Sequence, residues 1–329
     1  YDLNSDLSAY VDLQQRIVTY DFTGLDQDGS ELDQTSEMSF FNPKVGFNYS
    51  LNEKTSLYAF AGVGNKEPSR DDFTESTPND RPSHESLLDI EIGYRYFSKT
   101  ISFSANFYNM QYNNQLILTG ELNDVGSAVR VNIPDSYRRG IELTGSFQLM
   151  DKLLWRLNAT FSENKIAEFK EFIDNWDTGV KDSVTHTNTN IAFSPSIIGG
   201  SQLIFTAFNS VENGKLDLAL VSKYVGDQFI DNTSSEYAKL DAYIVNDFRV
   251  NYTVKTKIFK EVVISSWIRN LSNQNYISNA WVYRFNTSSD PTTYDPYANA
   301  EGSGTNRYNQ IGAFNQAGIN FFVGLNLKF

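Results

Sequence analysis

Two histidines, His84 and His186, are the only imidazoles in the chain, and it contains no cysteine. A Ser-His-Asp triad would have to use one of them, yet no G-x-S-x-G nucleophile elbow occurs in the sequence. The two lie far apart in polar stretches, the setting of solvated side chains rather than of a shared metal site. No phosphate-binding loop or dinucleotide fingerprint is written into the sequence. Carboxylates gather at Asp26, Asp28, Glu31 and Asp33, and again at Asp71, Asp72, Glu75 and Asp80. The first group reads Asp-Gln-Asp-Gly-Ser, part of a calcium-loop pattern without its full ligand set. It is a weak calcium candidate beside the plainer reading, a solvated acidic turn about Gly29. Paired carboxylates also serve glycosidases, but any acidic loop supplies such pairs. The sequence therefore assigns no catalytic residue, no metal site and no cofactor.

Binding is better represented. Trp281, Tyr283, Arg284, Tyr294, Tyr297, Arg307 and Tyr308 crowd one polar stretch, residues 275–315, and Trp176 stands in another, residues 165–190. Aromatic faces with a few fixed polar groups are what a small-molecule site needs. Arg70, in a third stretch, offers a planar cation to an anionic ligand. Packing of these side chains on one another is the competing use.

The elements that would carry these residues are strands. Aromatic residues make up 14% of the 329-residue chain, with 24 Phe and 19 Tyr, a bias that favours strand over helix. Period-two alternation dominates. At the C-terminus Ala317, Ile319, Phe321, Val323, Leu325, Leu327 and Phe329 form one apolar face, with Phe322 the exception on the other. Trp155, Leu157, Ala159 and Phe161 alternate in the same way with Arg156, Asn158, Thr160 and Ser162. About twelve such segments centre near residues 12, 45, 60, 91, 108, 140, 158, 200, 221, 247, 265 and 323. No stretch approaches the roughly 18 apolar residues of a spanning helix. A formal charge of −13 argues against nucleic acid, which requires a basic surface.

The connections sort by length. Long or moderate polar stretches (21–38, 65–84, 118–128, 165–190, 228–239 and 275–315) alternate with tight ones near residues 51–55, 97–100, 149–152, 209–215 and 255–259. Short turns on one side and long loops on the other, joining an even number of antiparallel strands, describe an up-and-down transmembrane β-barrel of a bacterial outer membrane. Two alternatives stay open on pattern alone. One is a self-contained twelve-stranded channel. The other is a soluble extracellular β-protein that binds carbohydrate through its aromatic loops.

Local motifs then add a resemblance. Asn65-Lys66-Glu67-Pro68-Ser69-Arg70-Asp71-Asp72-Phe73 precedes Pro82-Ser83-His84-Glu85-Ser86-Leu87 and the strand Asp89-Ile90-Glu91-Ile92-Gly93-Tyr94-Arg95. Tyr137-Arg138-Arg139-Gly140-Ile141-Glu142-Leu143, Tyr224-Val225-Gly226-Asp227-Gln228-Phe229 and Trp267-Ile268-Arg269-Asn270-Leu271 follow in order, before the terminal Phe321–Phe329 run. This series resembles the barrel of TonB-dependent outer-membrane receptors. The resemblance implies the C-terminal twelve strands of a barrel of about 22 strands, with the plug domain, the energy-coupling segment and the first strands lying outside these residues. The chain begins Tyr1-Asp2-Leu3 without a signal-peptide pattern, which fits that expectation. The resemblance further implies uptake of a scarce nutrient such as a ferric siderophore. Its implied partners are outer-membrane lipid, the rest of the receptor and, through the N-terminal part, the TonB complex. Phe329 matches the terminal aromatic used in barrel assembly.

Overall fold

Residues that alternate apolar and polar send successive side chains to opposite faces of a strand, and the computed structural model of the chain is built almost wholly from such strands. It describes residues 1–25, 31–74, 76, 81–122, 128–256 and 258–329. In chain order these are β1 (Leu7–Leu25), β2 (Glu31–Asn52), β3 (Thr55–Lys66), the short helix α1 (Arg70–Thr74), β4 (Glu85–Phe97), β5 (Ile101–Leu122) and β6 (Ala128–Met150). They continue with β7 (Leu153–Asn175), β8 (Lys181–Asn190), β9 (Ile197–Ser210), β10 (Gly214–Val225), β11 (Gln228–Phe229) and β12 (Lys239–Leu240). The last are β13 (Tyr243–Val254), β14 (Glu261–Arg269), β15 (Ile277–Asn286), β16 (Ala298–Ala300), β17 (Arg307–Asn315) and β18 (Asn320–Lys328). No described helix is long and apolar enough to cross a membrane.

Among the described residues twelve strands run as one antiparallel wall in the order β1-β2-β3-β4-β5-β6-β7-β9-β10-β13-β14-β18. Each of the twelve segments expected from periodicity falls in one of them. The register assembles one face into an unbroken apolar band. Ile92 stands opposite Phe107, Phe107 opposite Ile141 and Ile141 opposite Phe161. Further along, Leu203 meets Leu220, Leu220 meets Phe248, Phe248 meets Ile268 and Ile268 meets Phe321. These side chains are not buried in protein: Phe107 is 46% exposed, Phe161 49% and Phe321 77%. An apolar surface of this extent is far larger than a soluble protein leaves in water, so its solvent is lipid.

The other face is polar and laced by short contacts. Lys44 pairs with Asp12 at 3.3 Å, Ser265 donates to Asn251 at 2.8 Å, and the Trp267 indole donates to Asp247 at 3.1 Å. Among the described residues the order starts at β1 and ends at β18 without a ladder between them, so the sheet they form is open.

The stretches expected to be polar loops are partly strand. β1 and β2 pair out to Leu25 and Glu31, and β7 pairs with β8 from Lys165 to Asp174. Expectations of loop over 21–38 and 165–190 are thereby corrected. Both stretches lie beyond the apolar band, where strand faces no longer differ in solvent and the alternation that marks a strand disappears. With 23 residues each, β6 and β7 exceed the roughly 9–11 needed to span a bilayer. Beyond the apolar band they build a core with β5 and the residue after β8, in which Ile117, Ile133, Ile166, Phe169 and Ile191 pack together. Helix α1 is fixed there as well. The Asp72 carboxylate accepts from the Ser69 backbone and hydroxyl at 2.7 Å, while Phe73 lies 5.2 Å from Phe22. Burial pushes the Asp72 pKa up, but the Ser69 bonds and Arg130 at 3.1 Å outweigh it and hold the carboxyl below its usual range.

Two outcomes follow. Leu220→Arg on the lipid face should cost about 2–4 kcal/mol of folding free energy in bilayers, while Ser265→Arg on the polar face leaves it near the parent value; heat-modifiable gel migration across a urea series reads both. The depressed Asp72 pKa stabilises the α1 anchor fully above the ordinary carboxylate range and loses that contribution as pH falls through the folded-state pKa. Hydrogen exchange of Ser69–Phe73 should therefore accelerate on acidification, and Arg130→Met should move that onset to higher pH.

Candidate functional site

The strongest concentration of fixed polar and aromatic side chains lies on the long-loop rim, where β15 and β17 form a hairpin. Alternation within Trp281-Val282-Tyr283-Arg284-Phe285 places Trp281, Tyr283 and Phe285 on one face and Val282 and Arg284 on the other. On the second face Ala280, Val282 and Ile311 pack against Ile230, Ala238 and Leu240 of the preceding connection. The end of β15 also pairs in parallel with the end of β7, Phe285 opposite Asp174. The hairpin thus reaches from the last strands back to β7 and covers part of the rim.

Arg284 holds this cap in place. Its side chain is 6% exposed and forms ion pairs with Glu171 of β7, with Asp231 at 2.9 Å and with Glu301 at 3.2 Å. Its Nε also donates to Asn309 at 2.8 Å. Glu171 in turn meets His186 at 2.7 Å, and that ring stacks on Phe169. Burial alone would lower the Arg284 pKa; Asp231 and Glu171 reverse this and raise it. One guanidinium therefore joins β7, the 228–239 connection, β15 and the stretch before β17.

Aromatic rings fill the opposite face. Trp176 stacks on Phe285 at 3.8 Å, and Tyr308 lies over the same ring at 5.8 Å. Tyr283 donates to Asp174 at 2.7 Å and accepts from the Trp176 indole at 3.3 Å. Burial and then the Asp174 carboxylate push its phenol up to about 12, although the Trp176 bond acts the other way. Trp281 covers Gly312 so closely that any Cβ at that position would collide with the indole. Trp281, Tyr294 and Tyr297 remain 47%, 66% and 67% exposed. Arg307 reaches Glu301 at 3.7 Å and Asn286 at 3.3 Å. Beside it a cleft of about 360 Å³ is lined by Asn175, Asp177, Asp182, Asn286 and Glu301. Bonds from Asn286 and Asn175 hold Asp182 below the usual carboxylate range.

The structure thus brings Trp176, Trp281, Tyr283, Arg284, Arg307 and Tyr308 into one assembly, with Tyr294 and Tyr297 at its exposed edge. Arg70 is separate and exposed at the start of α1. Glu31 and Asp33 are exposed at the tip of β2, whereas Asp26, Asp28, Glu75 and Asp80 lie outside the described residues. No group of three or more metal-binding side chains occurs among the described residues. The histidines are not solvated as expected. His84 packs edge-on against Phe40 at 5.2 Å, and His186 is held by Glu171 and Phe169. Phe329 sits at the short-turn end, 5.1 Å from the Phe259 ring. Sequence reasoning missed Glu171, Asp231 and Glu301. Their separation along the chain from Arg284 left no local signal.

Replacing Arg284 by Met should strand buried carboxylates and cost the cap about 3–5 kcal/mol. Hydrogen exchange would rise across 277–315 while wall amides keep their protection. For Tyr283, whose folded pKa is raised, the stabilisation is complete below the unfolded value of about 10 and is lost as pH climbs through about 12. Ring-labelled tyrosine NMR should show one late-titrating phenol that Tyr283→Phe removes.

Residues 11–271 match the family described as TonB dependent receptor-like, beta-barrel. No curated protein matches the chain in sequence. Among solved structures, the siderophore receptor PiuA from Acinetobacter baumannii superposes with a TM-score of 0.71 at 13% identity, over 100% of this chain and 42% of that one. The copper transporter OprC gives 0.69 at 15%, over 99% and 46%. The ferric yersiniabactin uptake receptor FyuA from Yersinia pestis gives 0.63 at 15%, over 99% and 44%. The chain spans less than half the length of each. With a family match across most of its strands and an outward apolar band to meet the bilayer, this chain belongs to the TonB-dependent receptor β-barrel family of the outer membrane.

Proposed function

We propose that the chain is the C-terminal part of the barrel of a receptor that takes up a scarce nutrient, a ferric siderophore or similar metal chelate, with energy delivered through TonB to an N-terminal plug. The observation that carries the ligand half of this reading is the cap: Trp281, Tyr294 and Tyr297 stay exposed on a rim hairpin whose underside is locked by Arg284. Flat aromatic surface on a rigid support suits a small chelate with apolar or aromatic arms. Trp176 and Arg307 extend this surface, and Arg70 is a second, separate contact. Arg284, Tyr283 and Tyr308 act by positioning. The chain's role is transport, not catalysis.

The open wall supports the structural half. Among the described residues no strand pairs with the outer edge of β1 or of β18, and lipid cannot satisfy the N–H and C=O groups along such edges. On this reading, further strands of the same receptor close the wall. A self-contained twelve-stranded channel would need a β1–β18 ladder. A soluble carbohydrate binder would have no use for the outward apolar band. Phe329, exposed at the end of β18, is left available for assembly.

The test is a fluorescence titration of the full-length receptor in detergent with ferric catecholate, ferric hydroxamate and free copper(II). One ferric chelate should quench tryptophan emission saturably. Trp281→Ala with Tyr297→Ala should weaken that binding at least tenfold, about 1.4 kcal/mol or more, with heat-modifiable migration unchanged. A folded receptor that binds none of the chelates, or binds one equally well without these rings, would sink the proposal.

A further inference from the structure

A tight turn between strands ordinarily carries small polar residues, and the short connections of this wall depart from that in a regular way. Each joins a lysine to a large apolar residue left in the open: Leu51 with Lys54, Phe97 with Lys99, Met150 with Lys152, Val211 with Lys215 and Ile258 with Lys255. Phe97 and Met150 are each 69% exposed, Ile258 81% and Val211 99%. Lys54, Lys99, Lys255 and Lys260 are exposed and form no ion pair among the described residues. Lys215 meets Asp217 at 2.7 Å, and Lys152 donates to the Ala207 carbonyl at 3.2 Å. Over residues 51–55, 97–100, 149–152, 209–215 and 255–260 the sequence has seven lysines, no arginine and three carboxylates. The long stretch 21–38 is the reverse, with six carboxylates and neither lysine nor arginine. The short-turn end is therefore basic in a chain whose net charge is −13.

The edge of the lipid falls at the same level. Tyr49, Trp155 and Tyr252 stand on the apolar face of β2, β7 and β13, each within three residues of one of these connections. The Tyr252 hydroxyl donates to the Asn213 carbonyl at 3.0 Å and the Trp155 indole to the Ser201 hydroxyl at 2.9 Å. Tyrosine and tryptophan, apolar in body and polar at the tip, collect where a bilayer meets water. A lysine just beyond them can lay its methylene stem along apolar surface and hold its ammonium at the depth of the headgroups.

We propose that these turns form a basic collar that binds the phosphate groups of anionic glycerophospholipids in the leaflet meeting the short-turn end. Unpaired ammonium groups select a negative partner, and the bare side chains of Val211 and Ile258 select one with an apolar layer beneath its charge. Repetition selects a bilayer over a protein. Successive turns are two strand spacings apart, about 10 Å, and all five repeat the same pairing, whereas a protein partner would occupy one patch. A leaflet meets every turn at the same depth, and it continues the lipid contact of the apolar band. A headgroup whose phosphate is already balanced by its own ammonium gains less from a lysine, so the preference is for lipids of net negative charge. The inference needs only the membrane-spanning wall and is independent of the uptake reading.

The test uses the full-length receptor in phosphatidylcholine vesicles containing a trace of spin-labelled phosphatidylglycerol or spin-labelled phosphatidylcholine. Electron paramagnetic resonance then reads the motionally restricted lipid held at the protein. At about 10 mM salt phosphatidylglycerol should associate roughly threefold more strongly than phosphatidylcholine. At about 1 M salt, where the screening length shrinks to about 3 Å, the two should become equal. Lys54→Gln with Lys99→Gln, Lys152→Gln and Lys255→Gln should abolish the low-salt preference while heat-modifiable migration persists. Lys170→Gln, at the opposite end of β7, should leave it intact. If the quadruple variant does not fold, the salt series on the parent decides. Equal association at low salt, a preference that salt leaves unchanged, or one that the folded quadruple variant retains would overturn the proposal. Displacement of the labelled lipid by free glycerol 3-phosphate at equal phosphate concentration would mark a site for a soluble phosphate and overturn it as well.

Discussion

Every backbone amide that enters lipid must find its hydrogen-bond partner within the protein, and the architecture follows from that requirement. It dictates long antiparallel ladders, each strand satisfied on both sides, and it forbids irregular backbone inside the apolar band. Only two residues separate β2 from β3 and β6 from β7 at the short-turn end, so little unladdered chain is left there. The chemistry of the outer face is equally constrained, because rows such as Ile92, Phe107, Ile141 and Phe161 must be apolar in register across four strands. Function is thereby excluded from the outer surface and confined to the rim and the lumen.

At the rim the solvent changes and so does the source of stability. The extended strands above the bilayer have water on both faces, and they hold together through local clusters and through ion pairs that are expensive to bury. Taking Arg284 and Glu171 out of water is repaid only because Asp231, Glu301 and Asn309 complete the guanidinium's partners. A wholly apolar pin of similar volume would serve stability as well. What the charged one adds is position, since a guanidinium with three carboxylates accepts one geometry, whereas an apolar cluster tolerates sliding. The aromatic face above it is aligned as a consequence.

The wall was legible from residues alone because lipid and lumen impose opposite demands on alternate positions, and that contrast survives as period two in β10, β14 and β18. The alternation of long and short connections was legible for the same reason. What was not legible lay where the contrast ends. β8, with Val184, Thr185, Thr187 and Thr189, is strand by pairing to β7 yet polar on both faces. The cap's aromatics were recognisable by type, and Phe285 by its phase with Trp281 and Tyr283. Their supporting carboxylates were not, because Glu171 and Asp231 lie 113 and 53 residues from Arg284 in the chain. An acidic residue in a polar loop looks the same whether it is solvated or holds a buried cation.

The cap and the polar face of the wall treat charge differently, and the difference has a physical reason. In the cap, Arg284 is enclosed by its own chain's carboxylates, so the rim presents rings rather than charge to an approaching ligand. On the wall, Lys44 and Asp12 pair while more than a third of each side chain stays exposed. An ion pair left in contact with water contributes little to stability, so the ladders of the wall do not depend on it. The buried pairs of the cap are different, because a guanidinium taken out of water is stable only in the one arrangement that satisfies it. The same sheet thus carries exposed pairs that tolerate change and one enclosed pair system that fixes position.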